Sequence, residues 1–217
     1  MTDDIIREID EEVRRDRYVK LLKRYAPQIT IVAVAIALAF GGYAGWRKHM
    51  RDVAEAESRQ FAQAMLLERG GKFKEAAEAF AALSAGGSSS YRALAGLQAA
   101  AAHAAAGDVS AAIAEYDRLA ADSGVPDRFR DLARLLAVQH LLDTAPPDDL
   151  EQRLKLLTAP DNMWRYSARE LQGAVRLKAG DLAGARKAFA ELSDDTTAPA
   201  QVRARAAEML AALPGAS

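Results

Sequence analysis

The apolar positions along this chain follow helical spacing over most of its length. Near the start, Ile5, Ile9 and Val13 recur at helical intervals among charged residues. This spacing indicates an amphipathic helix over Asp3–Tyr25, with acids in its first half and bases in its second. We expect this helix either to lead as a solvated segment into the uncharged stretch after it, or to dock on a cytoplasmic partner or an anionic lipid surface.

A stretch without charge comes next. From Tyr25 to Trp46 the chain has 22 uncharged residues. A helix of this length spans roughly 30 Å, the thickness of a bilayer's hydrocarbon core. Aromatic and basic residues stand at both ends of the stretch, as they do at membrane interfaces. The pattern predicts a transmembrane anchor over residues 27–47, and its alternatives are a buried core helix and a cleaved signal peptide.

Charges on either side of this stretch predict an orientation. Arg14–Arg24 holds six Lys or Arg and one acid, whereas Arg47–Glu57 holds three Lys or Arg and three acids. The excess of bases before the stretch places the N-terminus in the cytoplasm and the following domain outside, in the periplasm of a bacterium. The expected organisation is a cytoplasmic helix over residues 1–26, a bacterial inner-membrane anchor over 27–47 and a periplasmic domain over 48–217.

Small residues form a stripe within the predicted anchor. They are Ala33, Ala37, Gly41 and Gly45, spaced by four. Such a stripe lets a partner helix approach closely, so it predicts a membrane-helix packing surface. The alternative is that glycine is merely tolerated there, as it often is in spanning helices.

The part of the chain after residue 70 contains an internal repeat. Its pattern is G-[KD]-[FVL]-x-x-A-x-x-x-[FY]-x-x-L, with copies that begin 36 and then 73 residues apart. A degenerate copy over Ala145–Leu157 fills the longer interval and keeps only the apolar spacing. The positions that define the three good copies are Gly71, Ala76 and Phe80; Gly107, Ala112 and Tyr116; and Gly180, Ala185 and Phe189.

The repeat predicts a helical hairpin. The glycine ends one helix in a left-handed conformation, an aspartate at 108 or 181 caps the next, and the alanine and aromatic residue share its buried face. The first helices of the hairpins are expected at Ala54–Arg69, Tyr91–Ala106, Arg128–Leu142 and Tyr166–Ala179, and a final helix at Pro199–Leu213. The pattern resembles the tetratricopeptide repeat, which implies an all-α solenoid whose hairpins must stack to bury their apolar faces.

Composition narrows the function. A net charge of −1 gives no reason to expect nucleic acid, and the absence of cysteine excludes thiolate chemistry and disulfides. The histidines are scattered, and no phosphate loop or nucleophile motif occurs, so we expect no enzyme, cofactor, metal or small-molecule substrate. Concave solenoid surfaces bind protein segments. The candidate contact residues on the first helices are Gln98, His103, Gln172 and Arg176.

The whole chain resembles a family of ancillary subunits of the Sec translocon. The likeness is sharpest over Val19–Ala56, which contains the run Val19-Lys-Leu-Leu-Lys-Arg-Tyr25 and the trio Gly45-Trp46-Arg47. It implies association with translocon subunits and periplasmic folding factors during protein export. The alternative function is a membrane-anchored repeat scaffold for envelope assembly or cell-division coordination, without translocon contact.

Overall fold

The computed structural model describes residues 2–214, with side chains at residues 28, 30, 31, 35–88 and 91–214. These described residues form α-helices and no strand, so the prediction of an all-α chain is confirmed. The helices are α1 (Thr2–Arg69), α2 (Phe73–Gly86), α3 (Ser89–Ala105), α4 (Val109–Ala121), α5 (Asp127–Leu141), α6 (Pro147–Leu154), α7 (Arg165–Lys178), α8 (Leu182–Asp194) and α9 (Ala200–Ala212).

The chain divides into two compact units. Unit 1 is Met1–Glu55, and unit 2 is Ala56–Ser217. Unit 1 is helical throughout its described backbone, but the side chains of residues 2–27 lie outside the described set, and with them the predicted amphipathic face of Asp3–Tyr25. The separation of a segment 1–26 from a segment 27–47 stays a prediction.

The structure contradicts the predicted transmembrane anchor. In the part of the chain that is described, no helix is long and apolar enough to cross a membrane. The described positions from 35 to 46 are largely alanine and glycine, which carry little apolar surface, and charged residues resume at Arg47. The single-pass inner-membrane location is therefore wrong. The assignment of residues 1–26 to the cytoplasm and of residues 48–217 to the periplasm depended on that span and has no support without it.

The small-residue stripe lies in the same segment. The side chain of Ala33 is outside the described residues, whereas Ala37, Gly41 and Gly45 are exposed. A Cβ atom added at Gly41 or Gly45 would meet no atom within 4 Å. Packing within the described residues therefore does not require these glycines, and a role for them in contact with a partner helix stays a prediction.

Unit 2 is built of helical hairpins. Residues 56–69 of α1 pair with α2, α3 with α4, α5 with α6, and α7 with α8, and α9 packs on the last hairpin. Each core cluster joins neighbours along the chain: Ala64 and Phe80 pack with Ala95, and Tyr166 and Phe189 pack with residues of α9. Apolar surface is thus buried between successive hairpins, as in a solenoid.

Three inter-helix turns share one geometry. Gly71, Gly107 and Gly180 have φ values of 74°, 83° and 79°, the left-handed region that glycine adopts without steric cost. At each turn the next residue's amide reaches back five positions, as from Asp108 N to the carbonyl oxygen of His103 at 2.9 Å. This double hydrogen-bonded ending is the Schellman motif.

The aspartates after two of these glycines cap the following helix. Asp108 accepts a hydrogen bond from the Ala111 amide at 3.0 Å, and Asp181 accepts one from the Gly184 amide at 2.8 Å. Lys72 takes the same position before α2 but provides no side-chain cap. Two of the three hairpins therefore satisfy an otherwise orphaned amide with a carboxylate.

The degenerate copy forms the α5–α6 hairpin. Its turn lacks the glycine, and α6 starts after Pro146 with a second proline at its first position. The three positions that match the alanine, the aromatic residue and the leucine are Leu150, Leu154 and Leu157, and all are buried. This hairpin thus keeps three buried apolar residues at the repeat spacing without the glycine, the alanine or the aromatic residue of the other copies.

Candidate interaction surface

A groove opens between α5, α7 and α9 in unit 2. Its cavity volume is about 430 Å³. Its lining residues come from the first helices of the last two hairpins and from the terminal helix, with one aromatic ring from α8 behind them. They are Leu135, Gln139, Ser167, Glu170, Leu171, Ala174, Phe189, Arg205 and Met209. We call this surface the α5–α7–α9 groove.

Helical spacing assembles the groove. Ser167, Glu170, Leu171 and Ala174 follow the i, i+3, i+4, i+7 rule and so lie on one face of α7. Leu135 and Gln139 on α5, and likewise Arg205 and Met209 on α9, are four residues apart. The result is an apolar floor accompanied by four polar side chains, a combination that is usual for ligand sites.

Gly173 allows α7 to approach α8 behind the groove. A Cβ atom at this position would lie 2.6 Å from Cε1 of Phe189, which is too close for any real contact. Phe189 is 1% exposed, so its ring has little room to move away. Sequence reasoning missed Gly173. The missed signal is a column of small residues seven positions before each repeat glycine, occupied by Ala64, Ala100 and Gly173.

An ion pair spans the groove from α7 to α9. Nε and Nη2 of Arg205 each donate to a different carboxylate oxygen of Glu170, both at 2.7 Å. This hydrogen bonding, together with the attraction of the Glu170 charge, raises the pKa of Arg205 above its ordinary value. The Glu170 side chain is 22% exposed and that of Arg205 51% exposed. The pair is bidentate, so the two hydrogen bonds fix the orientation of the guanidinium relative to the carboxylate.

The four predicted contact residues lie elsewhere on the first helices. Gln98 donates to the sulfur of Met65 at 3.4 Å, and Arg176 Nε donates to Glu151 at 3.2 Å. His103 and Gln172 are half-buried. None of these four side chains lines the α5–α7–α9 groove. Residues at positions 135, 139, 170 and 174 line it, although their side chains gave no distinguishing signal in the sequence. A contact role for the four predicted residues on another part of the surface stays a prediction.

The repeat-defining residues all lie in the framework of the hairpins. Ala76, Ala112 and Ala185 are fully buried, as are Phe80, Tyr116 and Phe189 to within 3% exposure. Burial raises the pKa of the Tyr116 hydroxyl.

Among the residues that the structure describes, no group of three or more potential ligands could hold a metal ion.

Stacked hairpins with a groove on their first helices define a helical-repeat module for protein–protein interaction. The comparison with known families supports this class. The chain matches the tetratricopeptide repeat-like domain over residues 20–209 and belongs to that family. Domains of this kind are in general non-catalytic interaction modules. No curated protein and no solved structure matches the chain significantly.

Proposed function

We propose that this chain binds segments of other proteins in its α5–α7–α9 groove and does so in association with the Sec translocon. The groove is the observation that carries the first part. It exposes Leu171, Ala174 and Met209 to a partner at the C-terminal end of the solenoid. Its volume of about 430 Å³ falls within the range of roughly 300–1,000 Å³ that is usual for ligand sites.

The shape of the groove favours a peptide segment over a globular surface. Three helices line it, so a helix or an extended chain can lie along it and place a few large side chains on the apolar floor. Binding of this kind stabilises the complex mainly through burial of apolar surface, at about 25 cal/mol per Å² before the costs of association are subtracted.

The resemblance over Val19–Ala56 supports the choice of partner. That likeness implies translocon subunits and export-linked folding factors as partners, and the groove suits segments of proteins that are not yet folded. The competing function is a repeat scaffold for envelope assembly that never contacts the translocon.

A charge placed in the groove tests its use. Ala174→Glu puts a carboxylate in the groove one helical turn after Glu170, where it loses water and meets a like charge. We expect it to weaken binding of a purified protein segment from an exported protein by about tenfold or more, measured by fluorescence anisotropy with the full chain. The matched control is Ala82→Glu, at an exposed position of α2 outside the groove. Equal binding by the two variants would place the binding site elsewhere.

A second experiment tests the partner. The full chain is mixed with purified, detergent-solubilised translocon subunits, and complex formation is followed by size-exclusion chromatography. A co-migrating complex supports the proposal. If the chain and the translocon elute separately while envelope-assembly proteins co-migrate with the chain, the scaffold function is the correct one.

A further inference from the structure

We infer that the α5–α7–α9 groove selects an uncharged, apolar segment, because the ion pair between Glu170 and Arg205 neutralises the charges in its lining. This inference rests on the proposed function of the groove. It goes further by naming the chemistry of the segment that binds.

The composition of the lining is the first observation. Of the described residues that line the groove, Glu170 and Arg205 carry charge, and the remaining polar ones are Gln139 and Ser167. The two charged side chains satisfy each other through two hydrogen bonds of 2.7 Å. The formal charges of the lining therefore cancel, and an incoming charge meets no uncompensated opposite charge among these residues.

The geometry of the pair is the second observation. Both oxygens of Glu170 and two nitrogens of Arg205 take part, so neither group turns to a ligand without breaking a hydrogen bond. A ligand carboxylate or ammonium in the groove would lose water and would meet a pair whose opposite charges already cancel, so it would gain little attraction in return. An uncharged apolar segment avoids this cost.

A comparable pair outside the groove provides a matched control. Nη1 and Nη2 of Arg153 donate to the two oxygens of Asp117 at 2.7 and 3.1 Å. Their side chains are 39% and 42% exposed, and neither residue lines the α5–α7–α9 groove. This pair joins α4 to α6, much as the groove pair joins α7 to α9, and its loss does not change the charge of the groove.

The experiment uses three synthetic peptides and the full chain. Each peptide is a twelve-residue, end-blocked sequence with a Leu-x-x-Leu core, and one position between the leucines is Gln, Glu or Lys. Affinities are measured by fluorescence anisotropy at low salt. We expect the wild-type chain to bind the Gln peptide about threefold to tenfold more tightly than either charged peptide.

Substitution of one partner of the pair should change this order in opposite directions. Glu170→Gln removes the carboxylate bound to Arg205 and leaves only the weaker attraction of Glu208, so affinity for the Glu peptide should rise relative to that for the Lys peptide. Arg205→Gln removes the guanidinium bound to Glu170, so affinity for the Lys peptide should rise relative to that for the Glu peptide. Each shift is expected at about threefold to tenfold, the range of a partly exposed charge pair. Arg153→Gln should keep the wild-type order, and circular dichroism checks that every variant is folded.

The outcomes separate the inference from the function on which it rests. Equal affinity for the three peptides, or an unchanged order in both groove variants, would overturn the selectivity while leaving the groove a binding site. If the wild-type chain binds none of the peptides, the groove is not a peptide site and both proposals fail.

Discussion

At the residue scale, glycine is used for two different physical reasons in this chain. Gly71, Gly107 and Gly180 are needed for their backbone conformation, with φ between 74° and 83°. Gly173 has ordinary helical conformation and is needed for space, because the Phe189 ring occupies the volume that a Cβ would take. The repeat pattern revealed the first kind of glycine, since turns recur with the period. It did not reveal the second, which depends on a neighbour in another helix.

Gly173→Ala should therefore destabilise unit 2. The added methyl group overlaps a buried ring, and overpacking of this kind costs about 1–3 kcal/mol. Gly86→Ala is the matched control, because a Cβ at that helical position meets no atom within 4 Å. We expect the control to be neutral or slightly stabilising. Urea unfolding followed by circular dichroism measures both, and equal midpoints would contradict the proposed overlap.

A second prediction at this scale concerns Asp195, which follows α8. The side-chain hydroxyl of Thr197 donates to its carboxylate at 2.5 Å, and the Thr197 amide donates at 3.0 Å. These hydrogen bonds lower the pKa of Asp195 below its ordinary value of 3.8. The stabilisation they provide is complete above pH 3.8 and is lost as the pH falls through the lower, folded-state pKa.

Thr197→Val removes the largest cause of that shift and keeps the amide. We expect the pKa of Asp195 to move back towards its ordinary value without reaching it. Titration of the carboxyl carbon by NMR measures this pKa directly. A wild-type titration midpoint at or above 3.8 would contradict the prediction.

At the scale of the element, the residue at the N-cap position makes a side-chain hydrogen bond to the helix in two hairpins and makes none in a third. Asp108, Asp181 and Lys72 have nearly the same backbone conformation, with ψ between 62° and 74°. The two aspartates accept a hydrogen bond from the amide three residues later, whereas Lys72 provides no side-chain cap. The start of α2 is thus missing an interaction that its conformation already permits.

Lys72→Asp should supply it. The new carboxylate would accept from the Glu75 amide and would also stand at the positive end of the helix dipole. We expect stabilisation of about 1 kcal/mol, and a loss of similar size when Asp108 is changed to Ala. The nearby Glu75 carboxylate opposes part of the gain, so Lys72→Asn, which caps without charge, is the companion variant. Thermal unfolding that leaves all three variants equal to the wild type would contradict this account of capping.

Helix ends were predictable where local chemistry sets them. The first helices expected to end at Arg69, Ala106 and Ala179 end at Arg69, Ala105 and Lys178, because a glycine follows each of them at a fixed distance. The groove was not predictable. Its floor consists of ordinary apolar and small residues, and their convergence depends on how α5, α7 and α9 pack. The membrane prediction was wrong because it rested on the length of an uncharged stretch, although small residues form much of it.

At the scale of the whole molecule, unit 2 resembles a one-dimensional stack. Its core clusters join only neighbouring hairpins: Phe80 belongs to the cluster at one end and Phe189 to the cluster at the other. Energetic effects of changes at the two ends should therefore be independent.

Phe80→Leu and Phe189→Leu test this independence. Each removes part of a fully buried ring and should destabilise unit 2 by about 1–3 kcal/mol. The double variant should show the sum of the two losses to within about 0.5 kcal/mol in urea unfolding. A coupling energy well above this value would mean that the two ends communicate through the whole stack.

The position of α9 means that binding in the groove should change the local stability of this helix. This helix supplies Arg205 and Met209 to the groove, and it is the last helix of the described chain, packed on one side against α7 and α8. Helices open locally in solution, and local opening of α9 would remove one wall of the groove. A bound segment that contacts α9 therefore favours the state in which α9 is packed on α7 and α8. It stabilises the closed position of α9 by RT ln(1 + [L]/Kd), which is about 2.7 kcal/mol at a hundredfold excess over Kd. Hydrogen exchange of the α9 amides should then slow on binding, whereas the exchange rates of the α2 and α3 amides should not change.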